Sequence, residues 1–341
     1  MVTKNQPMER RVPKESVPLE RCHLFRIRSP HALANRMGWP LAKLEDMAES
    51  ARYRVYPLKT GGRLIQEPPA ALQALHRQIH GYLCRIETPD YLHSAIKGRS
   101  YITNASAHIG APCMIKIDVK KFFPSVPQHK VMHFFRDCLE CAPDVAGLLA
   151  NLICFKDRLA TGSSASPIVS YYAYKAMFDA IGQLAAENGL KMTCYVDDIT
   201  LTGMAASRRL LHEVRKVIMR HGLRAHKACF CPRGQARIVT GAMVGQMSLA
   251  LPYARWKAIK AEIRLARSAI ADEDRVSILN RLVSRLYEAA QIDARCRRMA
   301  VYHHSELRKL KANLELKGSL VASVSAVSTA NTEAQPSLPL T

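Results

Sequence analysis

Residues 191 to 202, KMTCYVDDITLT, place two adjacent aspartates where an alternating apolar segment must turn back on itself. Met192, Cys194 and Val196 alternate with Lys191, Thr193 and Tyr195, and Ile199 and Leu201 resume the alternation, so the segment predicts strand, tight turn, strand. Strands disfavour Asp and neighbouring carboxylates repel. Taken alone, the pair suits either a polar hairpin turn or a pair of Mg²⁺ ions, which take hard oxygen ligands and bridge carboxylates to phosphates.

Two further segments narrow that choice. Residues 114 to 126, MIKIDVKKFFPSV, predict a second apolar strand with Asp118 where it surfaces. Three carboxylates from separate strands are what two-metal phosphoryl transfer needs, with the ions about 4 Å apart. Between the two lies Thr161-Gly162-Ser163-Ser164-Ala165-Ser166-Pro167, where small residues admit a close ligand, Ser166 is expected to N-cap a helix and Pro167 to occupy its first turn.

In this order and spacing, IKIDVKKFF, TGSSASP and YVDD resemble the palm of a reverse transcriptase. The resemblance spans about residues 52 to 246. It implies an α+β right-hand polymerase fold: fingers over 51–112, a ferredoxin-like palm with interleaved fingers helices over 113–250 and a helical thumb over 251–316. Residues 1–50 are then an N-terminal basic extension with the first helices, and 317–341 a disordered tail of small polar residues. Asp118, Asp197 and Asp198 become the catalytic metal ligands for two Mg²⁺ ions, with Mn²⁺ as an alternative. Phe123 becomes the ring that excludes a ribose 2′-hydroxyl, Phe122 its core neighbour and Gly162 part of the dNTP pocket. Thr161 departs from the Gln that many family members place before the pocket Gly.

Upstream, ARYRVYPLKTGGRLIQEPP reads as a hairpin turning at Gly61-Gly62. Its tip carries Lys59 and Arg63, which the resemblance places over the incoming triphosphate; the alternative is a solvated basic turn. Leu72, Leu75, Ile79 and Leu83 recur at helical spacing. Asn104-Ala105-x-x-His108 and Val239-Thr240-Gly241 resemble segments of retron reverse transcriptases, and we assign Asn104 and His108 to nucleic-acid binding. By themselves, Asn104 serves equally as a helix cap and His108 as a structural histidine.

From Tyr253 onward the pattern is helical, with Ile259, Ile263, Ala266 and Ile270 on one face. Lys257, Lys260, Arg264 and Arg267 fall at i, i+3, i+7 and i+10 and so share another face, suited to phosphate contact. Over its 341 residues the chain carries a formal net charge of +22, which calls for a polyanionic partner. No stretch approaches the ~18 continuous apolar residues of a membrane span, and the polar, Pro-containing N-terminus predicts no secretory leader, hence a cytoplasmic protein. The ten cysteines, including Cys138-x-x-Cys141 and Cys229 and Cys231 near His226, lack two properly spaced ligand pairs and predict thiols, not zinc sites.

The resemblance thus implies a retron RNA-directed DNA polymerase that copies a structured noncoding RNA, itself the primer, into a linked RNA–DNA product (msDNA). Its partners are that RNA, dNTPs and an accompanying effector protein in antiphage defence. Alternatives are another bacterial reverse transcriptase, of group II intron, diversity-generating or abortive-infection type, or a catalytically silent RNA-binding relative. The absence of a maturase or endonuclease segment after the thumb weighs against a complete intron protein.

Overall fold

A computed structural model describes residues 16–58 and 62–332, with side chains through 316. Lys59 lies outside the described residues, as do 1–15 of the N-terminal extension and 333–341 of the tail. The chain divides into two units, Met1–Thr240 and Gly241–Thr341. The division falls before the palm boundary expected at 250.

The first unit opens with helices α1 (Pro30–Met37) and α2 (Leu41–Ser50). Ser29 caps α1 by accepting the Ala32 N–H, and Gly38 ends it in the left-handed conformation at φ 70°. Strands β1 (Arg54–Pro57) and β2 (Leu64–Glu67) form the expected hairpin. Helix α3 (Ala70–Leu83) buries Leu72, Leu75, Ile79 and Leu83 as its periodicity predicts. Helix α4 (Tyr101–Ser106) starts in a capping box of Ser100 and Thr103.

The central sheet follows. Strand β3 (Met114–Val119) leads through α5 (Phe122–Ser125), α6 (Gln128–His133) and α7 (Pro143–Ile153) to the short hairpin β4 (Cys154–Phe155) and β5 (Arg158–Leu159). Helices α8 (Ser166–Ala173) and α9 (Lys175–Glu187) come next, then β6 (Lys191–Tyr195), β7 (Asp198–Thr202), α10 (Arg208–Arg220), β8 (Ala225–Cys231) and β9 (Arg237–Val239). The sheet runs β6-β7-β3-β8 and is antiparallel throughout. In chain order its four strands stand 2-3-1-4, with helices in both crossovers, which is the ferredoxin-like arrangement expected of the palm.

Register decides what each face carries. Ile117 opposes Ile199 and Ile115 opposes Leu201, and these four are fully buried with Val119 and Cys194 beneath the sheet. On the other face Asp118 opposes Asp198, Lys116 opposes Thr200 and Thr193 pairs with Thr200. Half of this second face is covered. His108 lies fully buried there, its Nδ1 2.7 Å from the Thr202 hydroxyl and its Nε2 2.7 Å from the Thr193 hydroxyl.

This corrects the nucleic-acid role expected of His108 and of Asn104. Burial pushes the imidazole down to about 3, so it is neutral and joins two strands through their hydroxyls. Asn104 is also fully buried, and its Nδ2 donates to the Thr240 hydroxyl at 3.4 Å, which in turn donates to the Tyr101 carbonyl at 2.8 Å. The two retron-like signatures therefore touch one another inside the first unit, with Thr240 held at φ 44°.

The second unit contains β10 (Ala242–Val244) paired with β11 (Leu249–Ala250), then α11 (Tyr253–Ser268), α12 (Asp272–Ala289) and α13 (Arg295–Thr332). Ile259, Ala266, Leu279, Leu282, Leu286, Ala300 and Leu307 form its core. Ile270, expected in that apolar face, is fully exposed because α11 has ended at Ser268. The segment expected to be a disordered tail from 317 continues α13 to Thr332: it holds no Pro before Pro336 and only Gly318, so nothing in its sequence stops a helix already under way. Among the described residues no helix is long and apolar enough to cross a membrane.

The His108 clamp makes a definite stability prediction. His108→Ala leaves two buried hydroxyls unpaired and should lower unfolding free energy by about 2–4 kcal/mol. In urea titrations that loss should appear while the salt dependence of RNA binding stays unchanged; a flattened salt dependence would restore the binding role.

Candidate active site

Three carboxylates meet where β3 and the β6–β7 hairpin end together. Asp118 and Asp198 are register partners, and the Asp197 carbonyl accepts the Val119 N–H at 3.0 Å, tying the hairpin tip to the end of β3. Val196 takes φ 60° at the first turn position, normally a Gly conformation in a two-residue hairpin. A β-branched residue there stores strain of about 1–3 kcal/mol. Neighbouring chain holds it in place: the buried Ser94 hydroxyl accepts the Val196 N–H at 3.0 Å, and Tyr91 and His93 hydrogen-bond along Cys194.

Both hairpin carboxyls resist ionisation. Burial, reinforced by Asp118 and Asp198, pushes Asp197 up to about 6, with Arg63 opposing. Burial likewise raises Asp198, against Lys116 and Lys227. The donor set is all hard oxygen, which suits Mg²⁺ or Mn²⁺. Among the described residues no group of three such side chains is placed to hold a metal ion by itself. Mg²⁺ commonly takes only one or two protein carboxylates and completes its shell with substrate phosphates and water.

Arg63 and Phe123 stand near the carboxylates, Arg63 close enough to oppose the rise of Asp197. Strand β3 has ended by Lys121, which turns the chain at φ 49°, so Phe122 and Phe123 fall on one helical turn and stack with centroids 6.1 Å apart. Phe122 is the core ring as expected, packing on Tyr174 and Phe178. The Arg63 guanidinium lies 5.9 Å from the Phe123 centroid, which brings together two of the residues expected to hold dNTP.

Gly162 has a different reason for being Gly. A Cβ there would sit 2.5 Å from the Gln66 carbonyl oxygen and 3.1 Å from Glu67 Cα, and its own N–H donates to Gln66 O at 3.1 Å. Its small size lets the pocket loop dock on β2. Thr161 is also turned toward β2: its hydroxyl donates to Leu64 O at 2.9 Å and accepts the Gln66 N–H at 3.1 Å. Ser166, expected as the N-cap, is instead the first residue of α8, and its hydroxyl donates back to Ala160 O at 2.7 Å.

Sequence reasoning missed what holds this loop. Gln73 donates to Gly162 O at 3.1 Å and accepts the Ser164 N–H at 3.3 Å. His76, buried and pushed down to about 4, donates through Nε2 to Leu152 O at 2.8 Å, so its Nδ1 must accept the Ser163 hydroxyl at 2.8 Å. The available signal was a histidine set within the apolar stripe of α3.

In the second unit the expected cationic stripe is present. Lys257, Lys260, Arg264 and Arg267 are all exposed on α11. The first three line a groove of about 520 Å³ with Tyr253, Trp256 and Arg295, whose guanidinium lies 5.4 Å from the Trp256 centroid. Glu262 does not interrupt the stripe, because it is buried against Arg285 at 3.3 Å. All ten cysteines are free thiols; Cys229 and Cys231 approach to 4.0 Å.

The raised carboxyl has a signed consequence. With a folded value near 6 against ~3.9 unfolded, Asp197 binds more protons folded than unfolded, so its ionisation costs stability above pH 6 and nothing below both values. In EDTA, Asp197→Asn should be more stable than wild type at pH 8, on the order of 1–2 kcal/mol after allowance for relaxation, and equal to it near pH 3. Urea midpoints at the two pH values decide it; a variant less stable at pH 8 would refute the electrostatic account.

Comparison with known proteins agrees with this geometry. Residues 48–230 match the family model of reverse transcriptase (RNA-dependent DNA polymerase). The retron Ec86 reverse transcriptase of Escherichia coli is 29% identical over 243 residues, covering 67% of this chain and 75% of that protein. The retron Mx162 reverse transcriptase of Myxococcus xanthus is 28% identical, covering 68% and 56%. The retron Se72 reverse transcriptase of Salmonella heidelberg is 27% identical, covering 52% and 48%, so this chain spans about half the length of the last two. With a family match over more than half its length and the three aspartates converging at one hairpin, the chain belongs to the reverse transcriptase family and is of the retron type.

Proposed function

We propose that this polymerase copies a structured noncoding RNA that is both template and primer, leaving its DNA joined to that RNA as msDNA. The observation that carries the reading is the carboxylate cluster of Asp118, Asp197 and Asp198 facing Arg63 and Phe123. Asp118, Asp197 and Asp198 would hold two Mg²⁺ ions, whose chemistry is to activate the attacking hydroxyl and stabilise the leaving oxygen. The protein's own part is positioning. Arg63 offsets triphosphate charge, joined in this reading by Lys59, and Phe123 meets the sugar where a 2′-hydroxyl would sit. The groove on α11 offers cations and aromatic rings together, the combination that grips a phosphate backbone and stacks bases. Arg308 and Lys309 line a second groove on α13 with Tyr287 and His304. A cytoplasmic setting and a role beside an effector protein in antiphage defence complete the proposal, which the similarity to retron enzymes supports.

The chemistry is tested by Asp197→Asn with Asp198→Asn. Incorporation of dNTP on the copurifying RNA should fall by at least a thousandfold, because the loss of charge stabilisation is worth several kcal/mol, while RNA binding persists. Undiminished incorporation would remove the polymerase assignment to this site.

Sugar selection has its own test. Phe123→Val opens space beside the ring and should raise rNTP use relative to dNTP, by roughly tenfold or more in the ratio of kcat/KM values if about 1.4 kcal/mol of steric exclusion is relieved. An unchanged ratio makes Phe123 a core aromatic only.

A further inference from the structure

Apart from the catalytic cluster, the first unit carries a small cationic depression of about 190 Å³, lined by Val17, Arg21, Cys22, His23, Tyr82 and Arg85. Its walls are built. Val17 bridges to Ile86, the Val17 N–H donates to Arg85 O at 2.8 Å, and Cys22 and Leu83 are buried behind it. The Tyr82 hydroxyl accepts from Gln78 Nε2 at 2.9 Å, and the His23 ring packs edge-on against Tyr82 at 5.0 Å.

What the lining lacks is a carboxylate. The Arg85 Nε–H is buried and has no hydrogen-bond partner among the described residues, and neither Arg85 nor Arg21 has an ion pair there. A guanidinium with a buried, unmatched donor beside a second arginine is poised for an anion, because leaving such a donor unpaired forfeits its hydration without a replacement. A volume of 190 Å³ equals roughly six waters at their liquid share, enough for a phosphate and part of a sugar but not for a duplex. A tyrosine and a histidine at the wall give the adjoining sugar or base a flat surface.

We propose that this depression is a second RNA site, in which Arg85 and Arg21 hold one phosphodiester of a single-stranded segment and Tyr82 and His23 flank its nucleoside. It rests on the reading of the chain as an enzyme that keeps an RNA bound, and extends that reading to a contact made by the N-terminal segment and the end of α3.

The test uses the full chain with its cleft saturated by an annealed primer–template, and a 12-nucleotide single-stranded RNA carrying 4-thiouridine. Crosslinking should map to the peptides containing His23 and Tyr82. In Arg85→Gln and in Arg21→Gln the crosslink should fall severalfold, and the slope of log affinity on log salt should shrink by about 0.7 for the lost contact. Lys43→Gln removes the same charge from α2, where Lys43 pairs with Asp46, and should change neither reading. Arg21 is exposed, so its variant keeps the test intact should Arg85→Gln fail to fold. Incorporation on the short primer–template should stay within twofold of wild type in both arginine variants. Equal effects from Lys43→Gln, crosslinks elsewhere only, or competition by inorganic phosphate with no RNA crosslink would overturn the site. A wild type that incorporates no dNTP would instead fail the polymerase reading and leave the RNA site to stand on its crosslinks.

Discussion

Three carboxylates brought together at the ends of two antiparallel strands repel one another, and the elements around them hold them there. Register sets Asp118 against Asp198, so neither can withdraw without shifting every apolar pair below. Val196 accepts a backbone conformation that opposes its own side chain, and Ser94, Tyr91 and His93 hold it. Burial and mutual repulsion both favour whatever neutralises these carboxyls, which is why Asp197 and Asp198 are raised.

The loop from Thr161 to Ser166 is held by a different device. It is small and polar, yet it is anchored from both sides by uncharged hydrogen bonds: to β2 through Thr161 and Gly162, and to α3 through Gln73 and His76. Because β2 leads directly back to Arg63, any shift of the hairpin moves the pocket loop and the cation above Phe123 together. Thr161 in place of a longer side chain fits this coupling, since its hydroxyl is spent on the hairpin backbone.

Much of this was legible in the residues. Alternation around Asp197 and Asp198, the apolar run ending at Asp118 and the spacing of Leu72, Leu75, Ile79 and Leu83 each report a local period that the fold preserves. The cationic stripe on α11 was readable for the same reason. What the sequence hid were contacts between distant segments. No local pattern announces that Asn104 meets Thr240, that His108 spans Thr193 and Thr202, or that Gly162 is small because Gln66 passes 2.5 Å from where its Cβ would be. Asn104 and His108 were misread because a polar residue in a family signature looks like a ligand contact until its burial is known. Ser166 was misread by a single residue, which reverses its hydroxyl from cap acceptor to donor.

His76 and His108, both fully buried in the first unit, show how a chain of net charge +22 places histidine in its interior without a counterion. His76 and His108 each sit between two oxygen partners, and the neutral imidazole, with one donor and one acceptor on opposite sides of a rigid ring, can serve both without a counterion. Lysine or arginine in these two places would meet only neutral oxygen partners, at a desolvation penalty of several kcal/mol. Other cationic side chains stand at the surface, along α11 and at Arg21, which has no ion pair among the described residues. An unpaired arginine in this molecule is therefore informative in a way that a surface lysine is not: with its donor already buried, a bound anion is the partner that relieves it.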